Sequence, residues 1–455
     1  MITIVNPKEH IANLLGKRDT SKDDIYRLMR YVMRVDYQGK VLLHNVVTGE
    51  LVLLDEFEEK VLDDLSSRYD ECMNDLIAHY FLVPNTHDEH EQVVKLRSIL
   101  RKVANAQASS EITSYCILPT TACNARCYYC FEQGCETVTM TKQTAIDTVS
   151  FITRHCGNKA ISIMWFGGEP TVASHRIDEI CEGLRDKKVV FKSTIITNGY
   201  LLDKEMVQRA KELWNLKHAQ IAFDGTEETY NSVKSYVYHD ASPYKRVMDN
   251  IGYMLDAGIA VGLRMNFDLS NRREFKDLVS DALDRFHGNS LLHVYAYPVI
   301  GEYMNTDGVV LHGDDAWIAE SQVELNDFSR MKGAYNSKRP LPSLRYSSCA
   351  AGRSDAVTIT PKGLLVRCPE HFDDAQATGS VKEGLEENEV FKSWRTLSDF
   401  PRCRSCSFFP DCARLLNCSA KDHCYHSDRN RMYELEAMRQ YEAWVVDRSV
   451  AEEDI

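Results

Sequence analysis

Fifteen cysteines are spread unevenly over 455 residues, and two groups of them are spaced for metal chemistry. The first group lies in Thr121-Ala122-Cys123-Asn124-Ala125-Arg126-Cys127-Tyr128-Tyr129-Cys130-Phe131-Glu132, a C-x3-C-x2-C triplet. Three thiolates on one tight loop can hold three irons of a 4Fe–4S cube. The fourth iron then lacks a protein ligand and is open to a small chelating molecule, by the logic that leaves an open position on catalytic zinc. Two blander readings stand beside it. Zinc is one, although it normally takes four ligands, often as two C-x2-C pairs, and only one such pair is present; buried thiols without metal are the other. The second group runs Cys349, thirteen residues, Gly363, four residues, Cys368, and then Cys403-x2-Cys406-x5-Cys412-x5-Cys418-x5-Cys424. Cys116, Cys135, Cys156 and Cys181 are read as buried or incidental thiols, and the His87-Asp88-Glu89-His90 run, which lacks HExxH spacing, as a solvated connector.

The elements around the triplet alternate. Apolar strand candidates are Ser114–Pro119, Ile161–Phe166, Phe191–Thr197, Ala219–Asp224, Ile259–Phe267 and Leu291–Pro298. Amphipathic helices separate them; one carries Ala145, Ile146, Val149 and Ile152 on a single stripe, another Val247, Ile251 and Met254. Six strands alternating with five helices predict parallel βα units rolled into a full or partial barrel, with function at the C-terminal strand ends. The polar motifs fall at those ends. The triplet follows the first strand, Trp165-Phe166-Gly167-Gly168-Glu169-Pro170 ends the second, Thr197-Asn198-Gly199 the third and Asp224-Gly225 the fourth, and Arg264 and Asn266 sit on the fifth. Taken singly, Gly-Gly before Pro is an ordinary turn, and the others are ordinary turn or satisfied polar residues.

Together these segments closely resemble the radical S-adenosylmethionine (SAM) superfamily, over about residues 112–300. The resemblance implies that Cys123, Cys127 and Cys130 hold a 4Fe–4S cluster whose open iron chelates SAM. It also implies that Tyr129, Gly167, Gly168, Glu169, Pro170, Asn198, Asp224 and Arg264 line the cofactor pocket. Bare glycines permit close backbone approach, Glu169 can accept from an ammonium, and Arg264 is a fit partner for the SAM carboxylate. The implied chemistry is one-electron cleavage of the sulfonium to methionine and a 5′-deoxyadenosyl radical, which abstracts hydrogen from an unactivated carbon. No side chain stands out as a catalytic base.

The second cysteine group resembles the SPASM domain, which holds two auxiliary 4Fe–4S clusters, and Val357–Val366 with its Pro361-Lys362-Gly363 turn looks like that domain's hairpin. By the family's interleaved ligation, Cys349, Cys368 and Cys418 hold the first auxiliary cluster, and Cys403, Cys406, Cys412 and Cys424 the second. Three clusters and SAM are then the expected cofactors. Five residues, where the pattern usually has three, precede Cys418. The first auxiliary cluster has three obvious ligands, so its site is open or completed by an unpredicted ligand such as His423; an open iron would suit thioether formation. A structural zinc domain is the competing reading of this region.

The first 105 residues read as a small α+β unit. Val41-Leu42-Leu43 and Leu51-Val52-Leu53-Leu54 flank a Thr48-Gly49 turn as a hairpin. Asp55 caps a following helix with Glu58 in capping-box position, and a second helix is expected to end near Leu82-Val83-Pro84. The pattern resembles the winged-helix-like module that binds leader peptides in ribosomal-peptide maturation, where an exposed hairpin edge can accept a peptide as an added strand; a unit that merely packs on the barrel is the alternative. A helix is expected at Trp317–Lys332 and another at about Asp428–Val446.

With 44% hydrophobic and 27% charged residues the balance is ordinary for a globular chain. A net charge of −13 argues against bulk binding of nucleic acid or anionic membrane. No targeting segment or membrane-length apolar run is visible, which points to the cytoplasm, where thiols stay reduced and clustered cysteines favour metal over disulfides. The fold expected is α/β: a partial (β/α)6 TIM-like radical SAM barrel over 106–310, a winged-helix-like peptide-binding domain over 1–105, and a bridging helix with a SPASM iron–sulfur domain over 311–455. The function expected is maturation of a ribosomally made precursor peptide carrying a leader, with thioether crosslinking first and carbon–carbon crosslinking second. A flavodoxin or ferredoxin would supply the electron. A sulfatase-maturase-like Cys/Ser dehydrogenase and a non-enzymatic iron–sulfur electron carrier are the rivals.

Overall fold

The computed structural model describes residues 4–5, 14–16, 25–63, 65, 71–107, 111–239, 241–299, 316–335, 341–346, 349–418 and 430–453. Its N-terminal unit is an antiparallel sheet of β1 (Ile4–Val5), β3 (Val32–Tyr37), β4 (Lys40–Asn45) and β5 (Leu51–Leu54) in the order β1-β5-β4-β3, with β2 (Tyr26–Leu28) paired to β6 (Leu82–Pro84) beside it. The expected hairpin is β4–β5. The capping box forms as read: Asp55 Oδ1 accepts from the Phe57 and Glu58 amides at 2.8 Å, and Glu58 Oε2 accepts from the Asp55 amide at 3.0 Å. Leu82–Pro84 is a strand, however, and not the end of a helix. Helix Glu71–Ala78 stops earlier because Tyr80 takes a left-handed φ of 59° and the Phe81 amide reaches back to the Leu76 carbonyl at 2.8 Å, a Schellman closure that reverses the chain.

The central sheet carries six parallel strands: β7 (Ser114–Thr120), β8 (Ile161–Gly167), β9 (Phe191–Thr197), β10 (Leu216–Phe223), β11 (Ala260–Phe267) and β12 (Leu292–Pro298), each paired with its neighbour in chain order. Side chains alternate across it. Ile163, Trp165, Ile195, Ile221, Leu263 and Val294 are at most 1% exposed beneath the outer helices, each stabilising by about 1.5–3 kcal/mol. Thr141, Asp203 and Ser242 start three of those helices as side-chain caps.

Among the described residues the sheet is open, with no closed barrel. At the β7 edge it continues into β13 (Ala356–Ile359), parallel to β7 with Thr358 opposite Cys116, and then into antiparallel β14 (Leu365–Val366). The hairpin expected inside a separate C-terminal domain therefore extends the central sheet, and all four β13 side chains are buried. At the other edge the helix Ala316–Met331 covers β12, where Asn326 exchanges hydrogen bonds with both backbone groups of Ala296. The N-terminal unit shares its core with the second cysteine region: Tyr31, Leu43 and Phe81 join Phe408, Phe409 and Ala437 in one buried cluster. Among the described residues no helix is long and apolar enough to cross a membrane.

Candidate active site

The cysteine triplet sits on an irregular loop after β7. The loop is closed at its base by Thr121 N–H to the Val138 carbonyl (2.9 Å) and Val138 N–H to Thr121 Oγ1 (2.8 Å). Inside it a turn joins Cys130 N–H to the Cys127 carbonyl (3.2 Å), and the Arg126 guanidinium donates to the carbonyls of Cys123 and Ala125, both at 2.7 Å. All three thiols are half-buried. Burial, and then the Glu169 carboxylate, push the Cys123 thiol up to about 12; burial raises Cys127 and Cys130 as well. Such thiols stay protonated until a metal displaces the proton.

The ends of the next four strands hold this loop. From β8, Gly168 N–H donates to Thr120 O (3.2 Å) and Glu169 N–H to Ala122 O (2.9 Å). A Cβ on Gly168 would lie 2.4 Å from Thr121 O, and one on Gly167, whose φ is +119°, 2.3 Å from Thr120 O. The two glycines thus let the strand end lie against the cluster loop's own backbone. Glu169 is 1% exposed and saturates locally: Oε1 accepts from Thr171 N–H, Thr171 Oγ1 and Thr197 Oγ1, and Oε2 from Asn198 N–H. Pro170 is buried and opens the 3-10 turn that follows. From β9, Asn198 Nδ2 donates to Asn124 Oδ1 at 2.7 Å.

From β10 and β11 the grip is on two tyrosines. Tyr129 OH donates to Asp224 Oδ1 (2.5 Å) and accepts from Lys234 Nζ (3.2 Å) and Asn266 Nδ2 (2.9 Å); Tyr128 OH donates to Asp268 Oδ2 (2.5 Å). Lys234 and Asp224 form a 2.9 Å ion pair with 2% and 0% of their side chains exposed. Burial alone would push the Lys234 ammonium down, but Asp224, and then Cys127, hold it well above the ordinary lysine value. The Lys234 carbonyl also accepts from Arg126 N–H (2.8 Å), and Val237 N–H donates to Asn124 O (2.9 Å). Asp224 and the Tyr129 hydroxyl therefore take part in positioning the loop. Lys234, Asn124 and Asp268 escaped the sequence reading; a lysine ending a helix is commonplace, and only the fold turns this one inward. Arg264 has neither a hydrogen-bond nor an ion-pair partner among the described residues and stacks 3.9 Å from the Tyr297 ring centroid.

The second region forms two groups. Cys368 and Cys418 pack around Trp394 and Leu415. Burial, then Glu370, Cys349 and Cys418, raise the Cys368 thiol to about 12. Cys403 and Cys406 pack elsewhere, against the N-terminal core, on a turn closed by Cys406 N–H to Cys403 O at 3.2 Å; Cys412 follows through its amide to Phe408 O at 3.1 Å. Cys424 and His423 lie outside the described residues. Among the described residues no three His, Cys, Asp or Glu side chains converge closely enough to hold a single metal ion.

The donor sets suit iron–sulfur chemistry. The triplet offers three thiols within eight residues, and the nearby carboxylates of Glu169 and Asp224 are committed to hydrogen bonds elsewhere. Residues 117–282 match the family model of the Radical SAM superfamily. Fe-coproporphyrin III synthase of Methanosarcina barkeri is 25% identical over 155 residues, 34% of this chain and 37% of that protein, so the chain spans little more than a third of that relative's length. The radical SAM cyclopropyl synthase TigE of Paramaledivibacter caminithermalis is 21% identical over 443 residues, 89% of this chain and 88% of its own. Among solved structures, anSMEcpe with bound AdoMet and Cp18Cys peptide is 16% identical at a TM-score of 0.54, covering 75% of this chain and 99% of its own. SuiB of Streptococcus suis bound to precursor peptide SuiA is 15% identical at 0.52, covering 85% and 94%. These structural likenesses concern the fold. The match at residues 117–282 runs from β7 through the cysteine triplet to the helix after β11, and it marks the chain as an enzyme.

Proposed function

We propose that this enzyme is a peptide maturase that abstracts hydrogen from a ribosomally made precursor and installs a crosslink. In this reading residues 1–105 dock the leader, 106–310 hold SAM, and 311–455 hold two auxiliary clusters fed or drained by a flavodoxin or ferredoxin. The observation that carries it is the three-thiol loop clasped by four consecutive strand ends. When bound, the cluster and SAM supply a one-electron sulfonium cleavage that delivers a carbon-centred radical. The chain's own part is positional. Cys123, Cys127 and Cys130 hold the iron, the Gly167–Gly168 backbone fixes the loop's height, and Arg264, without a polar partner among the described residues, orients the SAM carboxylate.

The crosslink favoured by the Cys349, Cys368 and Cys418 set is a thioether, since three ligands leave a place for a substrate thiolate. The near full-length likeness to a cyclopropyl synthase favours the second reading, carbon–carbon bond formation. Reduced, reconstituted enzyme is expected to convert SAM to 5′-deoxyadenosine, and replacing Cys123, Cys127 and Cys130 with alanine is expected to abolish it; retained turnover defeats the proposal. Short peptides encoded beside this reading frame, incubated with the enzyme, are expected to lose two hydrogens in mass. Loss of iodoacetamide reactivity marks a thioether, and retained reactivity a carbon–carbon bond.

A further inference from the structure

Two arginines in the second cysteine region's surroundings carry buried charge that no carboxylate among the described residues pairs with. Arg97, on the helix Glu89–Gln107, is 4% exposed. Its guanidinium donates to the carbonyls of Arg345 (3.0 Å), Phe409, Pro410 (3.0 Å) and Cys412 (2.6 Å), and lies 4.4 Å from the Phe409 ring centroid. Arg367, just before Cys368, is 2% exposed and donates to the carbonyls of Ala351 (2.9 Å), Ala356 (2.8 Å) and Arg353. The carboxylates nearby are taken: Asp411 pairs with Arg345 at 2.6 Å and Asp355 with Arg353 at 2.6 Å.

Carbonyl dipoles solvate a guanidinium but do not neutralise it, and an unpaired buried ion is among the costliest arrangements a protein can hold. Position says where the counter-charge belongs. Arg97 donates to the Cys412 carbonyl at 2.6 Å, and Arg367 directly precedes Cys368 and donates to the carbonyl of Ala351, two residues after Cys349. Each arginine thus sits beside a different one of the two cysteine groups. Thiolates around an iron–sulfur core leave the centre anionic overall, and a fixed cation beside such a centre favours adding an electron to it.

We propose that Arg97 and Arg367 are the buried counter-charges of two separate clusters, and that each holds its own cluster's reduction potential up. Arg97 serves the cluster at Cys403, Cys406 and Cys412, and Arg367 the one at Cys349, Cys368 and Cys418. The inference rests on the auxiliary-cluster reading above and extends it to who sets the potentials. Both are positioning residues and touch no substrate. Arg97 comes from the helix that lies between the N-terminal unit and the central sheet in the chain, so the electrostatics of one cluster depend on where that unit sits.

The test is EPR-monitored redox titration, with iron analysis, of the anaerobically reconstituted full chain and its Arg97→Gln, Arg97→Lys, Arg367→Gln and Arg367→Lys variants. Arg97→Gln is expected to move one auxiliary midpoint to more negative potential and leave the N-terminal cluster and the other auxiliary centre in place; Arg367→Gln moves the other. The lysine variants, which keep the charge and lose the fork, are expected to recover most of the shift. Where a glutamine variant fails to load its cluster, the lysine variant is expected to load it. Full iron with unmoved midpoints overturns the inference, as does equal behaviour of the glutamine and lysine variants. Wild-type protein holding iron for only one cluster would overturn the auxiliary-cluster reading itself, a result distinct from the other two.

Discussion

A single methyl group at Gly168 is expected to separate the strand end from the cluster loop. The added Cβ would stand 2.4 Å from Thr121 O and 2.6 Å from Ala122 O, where ordinary contact begins at 3.4 Å. Both obstacles are backbone, so relief means moving β8's end and the loop apart by 3.4 − 2.4, about 1 Å. That movement also strains the hydrogen bonds from Gly168 to Thr120 (3.2 Å) and from Glu169 to Ala122 (2.9 Å). Losing both costs about 1–3 kcal/mol, and overpacking adds about 1–3 kcal/mol. A misplacement of about 1 Å at a reacting centre is worth roughly 100-fold in rate. Gly168→Ala is therefore expected to lower SAM-dependent 5′-deoxyadenosine formation by about two orders of magnitude while the circular dichroism of the chain is kept. Gly134→Ala is the control on the same loop. Its φ is +81° but no atom lies within 4 Å of the new Cβ, so it bears only the left-handed backbone cost of about 1–2 kcal/mol. Wild-type turnover by Gly168→Ala would refute the cradle.

Lys234→Met leaves Asp224 buried without its cation and is expected to destabilise the chain by about 3–5 kcal/mol in urea unfolding, whereas Lys234→Met with Asp224→Asn recovers most of the loss; additive effects would show that the pair is not coupled. Arg264→Gln is expected to weaken SAM binding by about 10- to 100-fold in calorimetry of the reconstituted protein, the worth of one charge-assisted contact; unchanged affinity removes Arg264 from the pocket. The His79 imidazole, hydrogen-bonded to buried Glu50 at 3.4 Å, is raised from 6.5 by that contact. Its contribution is full below the unfolded value and fades as pH rises through the raised one, so hydrogen exchange in Glu71–Ala78 is expected to speed up with pH beyond its intrinsic trend in the wild type and not in His79→Gln.

The six parallel strands were legible because each is a short apolar run bounded by turn residues, and their ends fall within a few residues of expectation. The capping box at Asp55 and Glu58 was legible for the same local reason. What local pattern does not carry is long-range pairing. β13 has the composition of a hairpin strand, and nothing in Ala356–Ile359 announces that it will lie parallel to β7, more than two hundred positions earlier. The site divides along the same line. Cys123, Cys127, Cys130, Gly167 and Gly168 declare themselves through type and spacing. Asp224 also drew attention as a polar residue at a strand end, but nothing local announces its ion-pair partner. That partner, Lys234, lies ten residues on at the close of a helix that the left-handed Ser235, whose φ is 42°, terminates.

The arrangement of the loop explains why so many contacts are spent on it. A loop with three thiols raised by burial has no intrinsic reason to hold them at one geometry, since without metal the thiols are neutral and weakly interacting. Its order has to come from outside, and it does: β8 grips the backbone before the first cysteine, β9 grips Asn124, and β10 and β11 grip Tyr129 and Tyr128. Tyr129 gives its one donor to Asp224 and takes donors from Lys234 and Asn266, so it has no rotational freedom left. The buried ion pair beneath it is poor value as stabilisation but makes sense as geometry: it fixes the height of the tyrosine that lies between the second and third thiols. A site assembled this way is preorganised for a cluster before one arrives, and the polar residues that do so are ones a ligand never needs to touch.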